Sequence, residues 1–142
     1  MAYIASQSGN LIALNLSSGF RIWDLKIGAV SSTPAVIDKF IFAAADGKHL
    51  VALNRFDGSV KWVFNLPEKE DPKQTVSWSG PVANNGKLYL VSSVGQILEI
   101  DANTGTLNNT ILTSQRIFGQ PLIENGNMYL LTSNGELIIY GH

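Results

Sequence analysis

Apolar and polar residues follow one another in short alternating runs along this chain. Lys87-Leu88-Tyr89-Leu90-Val91 and Asn127-Met128-Tyr129-Leu130-Leu131 are typical, rich in β-branched and aromatic residues and closed at both ends by Gly, Asn, Asp or Ser. A two-residue period bounded by turn formers is the signature of half-buried strands, and no stretch sustains the i, i+3, i+4, i+7 spacing of an amphipathic helix. The chain is predicted to be all-β.

The runs repeat. Leu11-Ile12-Ala13-Leu14-Asn15 returns as Leu50-Val51-Ala52-Leu53-Asn54, more loosely as Ile97-Leu98-Glu99-Ile100-Asp101, and a last time as Leu137-Ile138-Ile139-Tyr140. The polar residue closing each copy (Asn15, Asn54, Asp101) steps by 39 and then 47 residues, giving a period of about 40. Ser18-Gly19, Asp57-Gly58 and Thr104-Gly105 begin three residues beyond that anchor and read as turns that need positive φ. Eight residues beyond it stand Trp23 and Trp62, with Asn109 replacing the indole in the third copy. A second turn glycine precedes each copy, at Gly9, Gly47, Gly95 and Gly135, and Pro34, Pro81 and Pro121 lie further upstream. Each full repeat then predicts four strands: one after the Pro, one before the first Gly, one carrying the anchor and one carrying the Trp. Four antiparallel strands in roughly 40 residues is the content of one β-propeller blade.

Gly-x-Leu-x-Ala-Leu-Asn, followed by Ser/Asp-Gly and then Trp, resembles the PQQ-type repeat of quinoprotein alcohol dehydrogenases and of the BamB family of outer-membrane assembly lipoproteins. The segments Ala52–Trp62, Trp78-Ser79-Gly80-Pro81-Val82 and Asn127–Leu137 are similar to the C-terminal half of a BamB of the alphaproteobacterial type, and the likeness covers nearly the whole chain. It implies an all-β partial propeller of about 3.5 PQQ-type blades, roughly half of an eight-bladed ring. The expected organisation is a single partial-propeller domain over residues 1–142, with repeat units at about 1–30, 31–66, 78–112 and 117–142 and an inserted loop at 67–77. Counted by strands, the first blade starts without its first strand and the last stops before its Trp-bearing strand. The start Met1-Ala2-Tyr3-Ile4-Ala5-Ser6 has neither the basic segment nor the apolar stretch of a signal peptide, and is read as falling inside a strand of a truncated chain. An open row of blades leaves apolar faces and strand edges uncovered. A homodimer that completes a ring, or a missing half supplied by another chain, is expected.

Composition narrows the function without naming it. Ten Lys and Arg against eleven Asp and Glu give a formal charge of -1, so no basic footprint for nucleic acid is present. The absence of cysteine removes disulfides, thiolate zinc sites and cysteine nucleophiles. The longest apolar run, Phe40–Ala45, is strand-sized, so no membrane span is expected in this chain. There is no Gly-x-Ser-x-Gly elbow, phosphate-binding glycine loop or His-Glu-x-x-His motif. His49 has no second histidine before the terminal His142 with which to build a zinc site, and Glu68, Glu70 and Asp71 lack the alternating oxygen ligands of a calcium loop. The vicinal cysteines common in quinoprotein dehydrogenases are absent, so the repeat is read as implying neither enzyme nor cofactor nor metal. The Asn-x-Ser/Thr sequences at Asn15 and Asn108 carry no argument.

Because Trp23, Trp62, Gly19, Gly58, Gly105, Pro34, Pro81 and Pro121 recur at fixed repeat positions, they are read as structural: the indoles as packing between blades, the prolines as strand entries. The insertion departs from the repeat. Its charged residues Glu68, Lys69, Glu70, Asp71 and Lys73 are interspersed with the prolines Pro67 and Pro72 and followed by Trp78, which is read as having no counterpart in the other copies. Extra residues in one repeat map to loops, often on a binding face. With Arg55 and Arg116, these are the candidate partner-binding residues. The resemblance implies a non-catalytic, periplasmic and outer-membrane-associated scaffold that binds the barrel-assembly protein BamA. The alternatives are a fragment of a PQQ-dependent dehydrogenase and an adaptor or sensor propeller of a larger protein.

Overall fold

The computed structural model describes residues 1–30, 32–68, 71 and 73–141. Fourteen strands run through them: β1 (Ala2–Ala5), β2 (Asn10–Leu14), β3 (Arg21–Lys26), β4 (Ala35–Ile37), β5 (Phe40–Ala45), β6 (His49–Asn54), β7 (Val60–Asn65), β8 (Trp78–Asn84), β9 (Lys87–Ser92), β10 (Gln96–Asp101), β11 (Leu107–Leu112), β12 (Ile117–Glu124), β13 (Asn127–Thr132) and β14 (Leu137–Gly141). They form four antiparallel sheets in sequence order, β1–β3, β4–β7, β8–β11 and β12–β14. These are the blades of a partial β-propeller, two with four strands and two with three. The chain divides into two compact units, Met1–Pro67 with the first two blades and Glu68–His142 with the last two.

The anchor residues explain why the third and fourth strands of each blade turn where they do. Asn15 Oδ1 accepts from the Ser17 and Ser18 amides, Asn54 Oδ1 from Phe56, and Asp101 Oδ1 from Asn103 and Thr104, at 2.8–3.1 Å. Each anchor carbonyl then accepts from the glycine four residues on, at 2.8–2.9 Å. Those glycines sit at φ 72–74°, in the left-handed region that a side chain disfavours. The other recurrent turn is held by a hydroxyl. Ser6, Ser92 and Thr132 accept from the amides of Asn10, Gln96 and Glu136, so the two buried hydroxyls, Ser92 and Thr132, are satisfied.

In the first unit, Leu11 of blade 1 packs with Ile41, Ala43, Val51 and Leu53 of blade 2, flanked by Tyr3, Ala5, Trp23 and Leu25. Each fully buried Leu or Ile in such a core contributes about 1.5–3 kcal/mol. The Trp23 ring lies on the turn of the neighbouring blade: a Cβ at Gly58 would fall 3.0 Å from its Cδ2. Its Nε1 donates to the Arg55 carbonyl at 2.9 Å, and the Tyr3 hydroxyl donates to the same oxygen at 3.3 Å. In the second unit, Tyr89, Val91 and Ile97 of blade 3 pack with Ile117, Met128 and Leu130 of blade 4.

Across the sheet from Trp23 stands Ala13, and from Trp62 stands Ala52; across from Asn109 stands Glu99. A small residue opposite each indole gives it room, and where the indole is lost the opposite position carries a long polar side chain. Two prolines differ in position from the sequence reading. Pro34 directly precedes β4, but Pro81 lies inside β8 and Pro121 inside β12, each where the register with the next strand shifts, between Ser79 and Val82 and between Phe118 and Leu122. A bulge leaves residues out of the ladder, so the missing N–H costs no hydrogen bond there.

Candidate functional site

The longest connection between blades is the one the insertion makes. β3 and β4 are joined by residues 27–34, β11 and β12 by 113–116, and β7 and β8 by 66–77. The loop is fastened at both ends. The Leu66 amide donates to the Lys48 carbonyl at 2.7 Å, and Ser77 exchanges bonds with Ser93, accepting at its carbonyl and donating to the hydroxyl at 2.8 and 3.1 Å. Between them Glu68, Asp71 and Lys73 are exposed, and Asp71 Oδ1 accepts from the Lys73 amide at 2.9 Å. The candidates Lys69 and Glu70 lie outside the described residues.

Trp78 is not part of this surface. It opens β8, is only 5% exposed, and its cross-strand partner is Ser92. Ile117, the buried residue that opens β12, has the equivalent partner in Thr132. Trp78 therefore has a counterpart and its indole fills the interior. The correspondence escapes the sequence because three positions separate Trp78 from Pro81 and four separate Ile117 from Pro121.

Arg116 lies in the place equivalent to Ser77. The Ser133 amide donates to its carbonyl at 2.9 Å, as Ser93 does to Ser77, and its side chain is exposed. The loop and Arg116 thus emerge beside the first residues of β8 and β12, at the same end of the second unit's inner strands. Arg55 belongs elsewhere. It sits in the β6–β7 turn, whereas the insertion leaves β7 at its other end, about 20 Å away for a six-residue strand. Its carbonyl is the acceptor for Trp23 and Tyr3, its amide donates to Lys39 at 3.0 Å, and its guanidinium carbon lies 5.0 Å from the centre of the exposed Phe56 ring. Its Nε is buried and makes no hydrogen bond. Arg55 and Phe56 together form an arginine–aromatic pair at a turn tip, a composition favoured in binding hot spots.

A polar network that the motifs do not flag crosses blade 3. Lys87 Nζ contacts Glu99 Oε1 at 2.8 Å and the Tyr89 hydroxyl donates to Glu99 Oε2 at 3.2 Å. The hydrogen bond to Glu99 raises the Lys87 pKa, while burial first and the Glu99 charge second raise that of Tyr89. The one visible signal was an acidic residue inside the otherwise apolar Ile97–Ile100 run. In the β6–β7 turn, hydrogen bonds from the Ser59 hydroxyl and amide hold Asp57 below the usual carboxylate range. Among the described residues no group of three or more His, Cys, Asp or Glu is placed to hold a metal ion. No helix there is long and apolar enough to cross a membrane, which says nothing of spanning strands.

The family model for outer membrane protein assembly factor BamB matches residues 1–78 and again 68–140. The chain belongs to the BamB family. The BamB of Moranella endobia is 28% identical over 146 residues, covering 95% of this chain and 37% of that relative. The chain spans little more than a third of the length of the curated BamB proteins it matches. The crystal structure of BamB from Moraxella catarrhalis superposes with a TM-score of 0.77 at 16% identity, covering 99% of this chain and 40% of that one. A europium-containing methanol dehydrogenase superposes with a TM-score of 0.65 at 20% identity, over 84% of this chain and 24% of that one, and shares the fold alone.

Proposed function

We propose that the chain is a non-catalytic, protein-binding scaffold of the BamB type, acting at the periplasmic side of the outer membrane in the assembly of β-barrel proteins. The observation that carries this reading is the match of the BamB family model to both compact units. Its partner is a BamA-like barrel-assembly protein, and the contact residues are sought among the exposed members of the inserted loop (Glu68, Asp71, Lys73), together with Arg116 at the same strand end. Arg55 and Phe56 are a separate candidate surface.

The reading is tested by removing residues 68–73 and measuring affinity for the soluble periplasmic part of the barrel-assembly protein from the same organism. A loop that supplies one hot spot loses at least tenfold in affinity, about 1.4 kcal/mol, on deletion. Unchanged affinity would eliminate the loop and leave the Arg55–Phe56 turn as the surface to examine.

A further inference from the structure

The tip of the β6–β7 turn carries a side chain that the fold does not need. Ala102 holds the place of Arg55 in the β10–β11 turn, directly after the anchor, and its amide donates to the Gly86 carbonyl at 3.0 Å as the Arg55 amide does to Lys39. Ala102 is only 6% exposed and makes the same turn with a methyl group. What blade 2 asks of position 55 is therefore backbone: that amide, and the carbonyl that receives Trp23 and Tyr3. The guanidinium is surplus to the turn.

It also lacks a counter-ion. Among the described residues the Arg55 side chain enters no ion pair and no hydrogen bond, and its buried Nε has no acceptor. The adjacent carboxylate, Asp57, is engaged by the Ser59 hydroxyl at 2.6 Å and the Ser59 amide at 2.9 Å, which hold its pKa down. Arg55 lies instead over the ring of Phe56, itself 52% exposed. Two further cations stand at this end of blade 2. Lys39 and Lys61 place their Nζ atoms 5.7 and 3.7 Å from the centre of the Phe40 ring, and Phe40 is the cross-strand partner of the anchor Asn54. Three cations on two rings thus outnumber the two carboxylates of the same turns, Asp38 and Asp57.

We propose that this turn tip binds an acidic segment of a partner protein, with one carboxylate side chain on the Arg55 guanidinium and an adjoining apolar side chain against the Phe56 ring. A guanidinium is a planar donor array matched to a carboxylate, and stacking on an aromatic ring leaves its N–H groups free to donate. With Nε buried, the carboxylate meets the terminal Nη groups. An inorganic anion would use the charge alone, whereas an acidic segment with an apolar neighbour uses both the charge and the ring, the pairing enriched in binding hot spots. Every residue involved lies in the first unit, with the preceding blade in place. The proposal names the ligand chemistry of the tip and holds whether or not the barrel-assembly protein is the partner.

The test is an NMR titration of the isotope-labelled chain with the acetylated and amidated tripeptide Asp-Phe-Glu. The Arg55 Nε–H and Phe56 amide signals should shift saturably, with a dissociation constant of about 1 mM for so short a peptide. Raising the salt to about 0.5 M should weaken binding roughly threefold or more, since the tip is exposed to solvent. The tripeptide Lys-Phe-Lys and inorganic phosphate should each bind at least about tenfold more weakly. Arg55→Gln should cost at least about tenfold in affinity, while Arg55→Lys, which keeps the charge and loses the planar array, should fall between. In both variants the Trp23 indole N–H signal, which reports its bond to the carbonyl of residue 55, should stay in place and show that the turn is intact. No shift at about 10 mM peptide overturns the proposal. So do equal shifts from Lys-Phe-Lys or phosphate, and so does full affinity in Arg55→Gln.

Discussion

Replacing Gly58 by Ala tests the joint between the first two blades, and Gly19 supplies its control. Both glycines occupy the same place in the anchor turn, at φ +74° and +72°, so an alanine meets the same backbone penalty at each, about 1 kcal/mol. Their surroundings differ. Nothing lies within 4 Å of a Cβ at Gly19, whereas one at Gly58 would meet Trp23 Cδ2 at 3.0 Å and Cε3 at 3.1 Å. The indole cannot easily retreat, because its Nε1 is bonded to the Arg55 carbonyl at 2.9 Å. Overpacking of this kind adds about 1–3 kcal/mol, so Gly19→Ala should cost about 1 kcal/mol and Gly58→Ala about 2–4 kcal/mol. Urea unfolding followed by tryptophan fluorescence and by far-ultraviolet circular dichroism gives both values, provided the two probes coincide. In a Trp23→Leu background, the difference between the alanine variants should shrink, since the two sites are in contact and non-additive. Equal losses for the two glycines, or an undiminished difference with Leu at 23, would refute the claim that the indole seals the joint through Gly58.

The other predictions concern blade 3 and its neighbours. Trp78→Ala should lower stability by about 3–5 kcal/mol in urea unfolding, as truncation of a buried indole does, rather than weaken partner binding in an otherwise intact fold. Lys87 and Tyr89 both have raised pKa values, so whatever stability they add is complete below their ordinary values of 10.5 and 10.0 and is lost as pH climbs through the folded ones. Thermal melts should therefore fall off above about pH 10, and Glu99→Gln should flatten the part due to Lys87 while leaving the part due to burial of Tyr89 and Tyr3.

The strands, the blades and the anchor turns are legible in the sequence because each rests on a local requirement. A turn that needs both a side-chain acceptor and a left-handed residue four positions later shows itself as Asn15 and Gly19, Asn54 and Gly58, Asp101 and Gly105. Bulges are less visible, since Pro81 and Pro121 interrupt the ladder without disturbing the alternation around them. Trp78 was misread for a related reason: only cross-strand pairing with Ser92 reveals that it occupies the place of Ile117. Arg55 illustrates a different limit. Its side chain drew attention as a charge, while its carbonyl receives the Trp23 and Tyr3 bonds, and a backbone role leaves no trace in residue type.

The scaffold reading is tested most directly by titrating the chain with the soluble periplasmic part of the cognate barrel-assembly protein, by calorimetry, beside a parallel sample supplied with PQQ and calcium. The account predicts saturable binding with a micromolar dissociation constant, and neither quinone absorbance retained after gel filtration nor dye-linked alcohol oxidation in the parallel sample. No heat of binding at about 100 µM, together with retained quinone and alcohol oxidation, would contradict it.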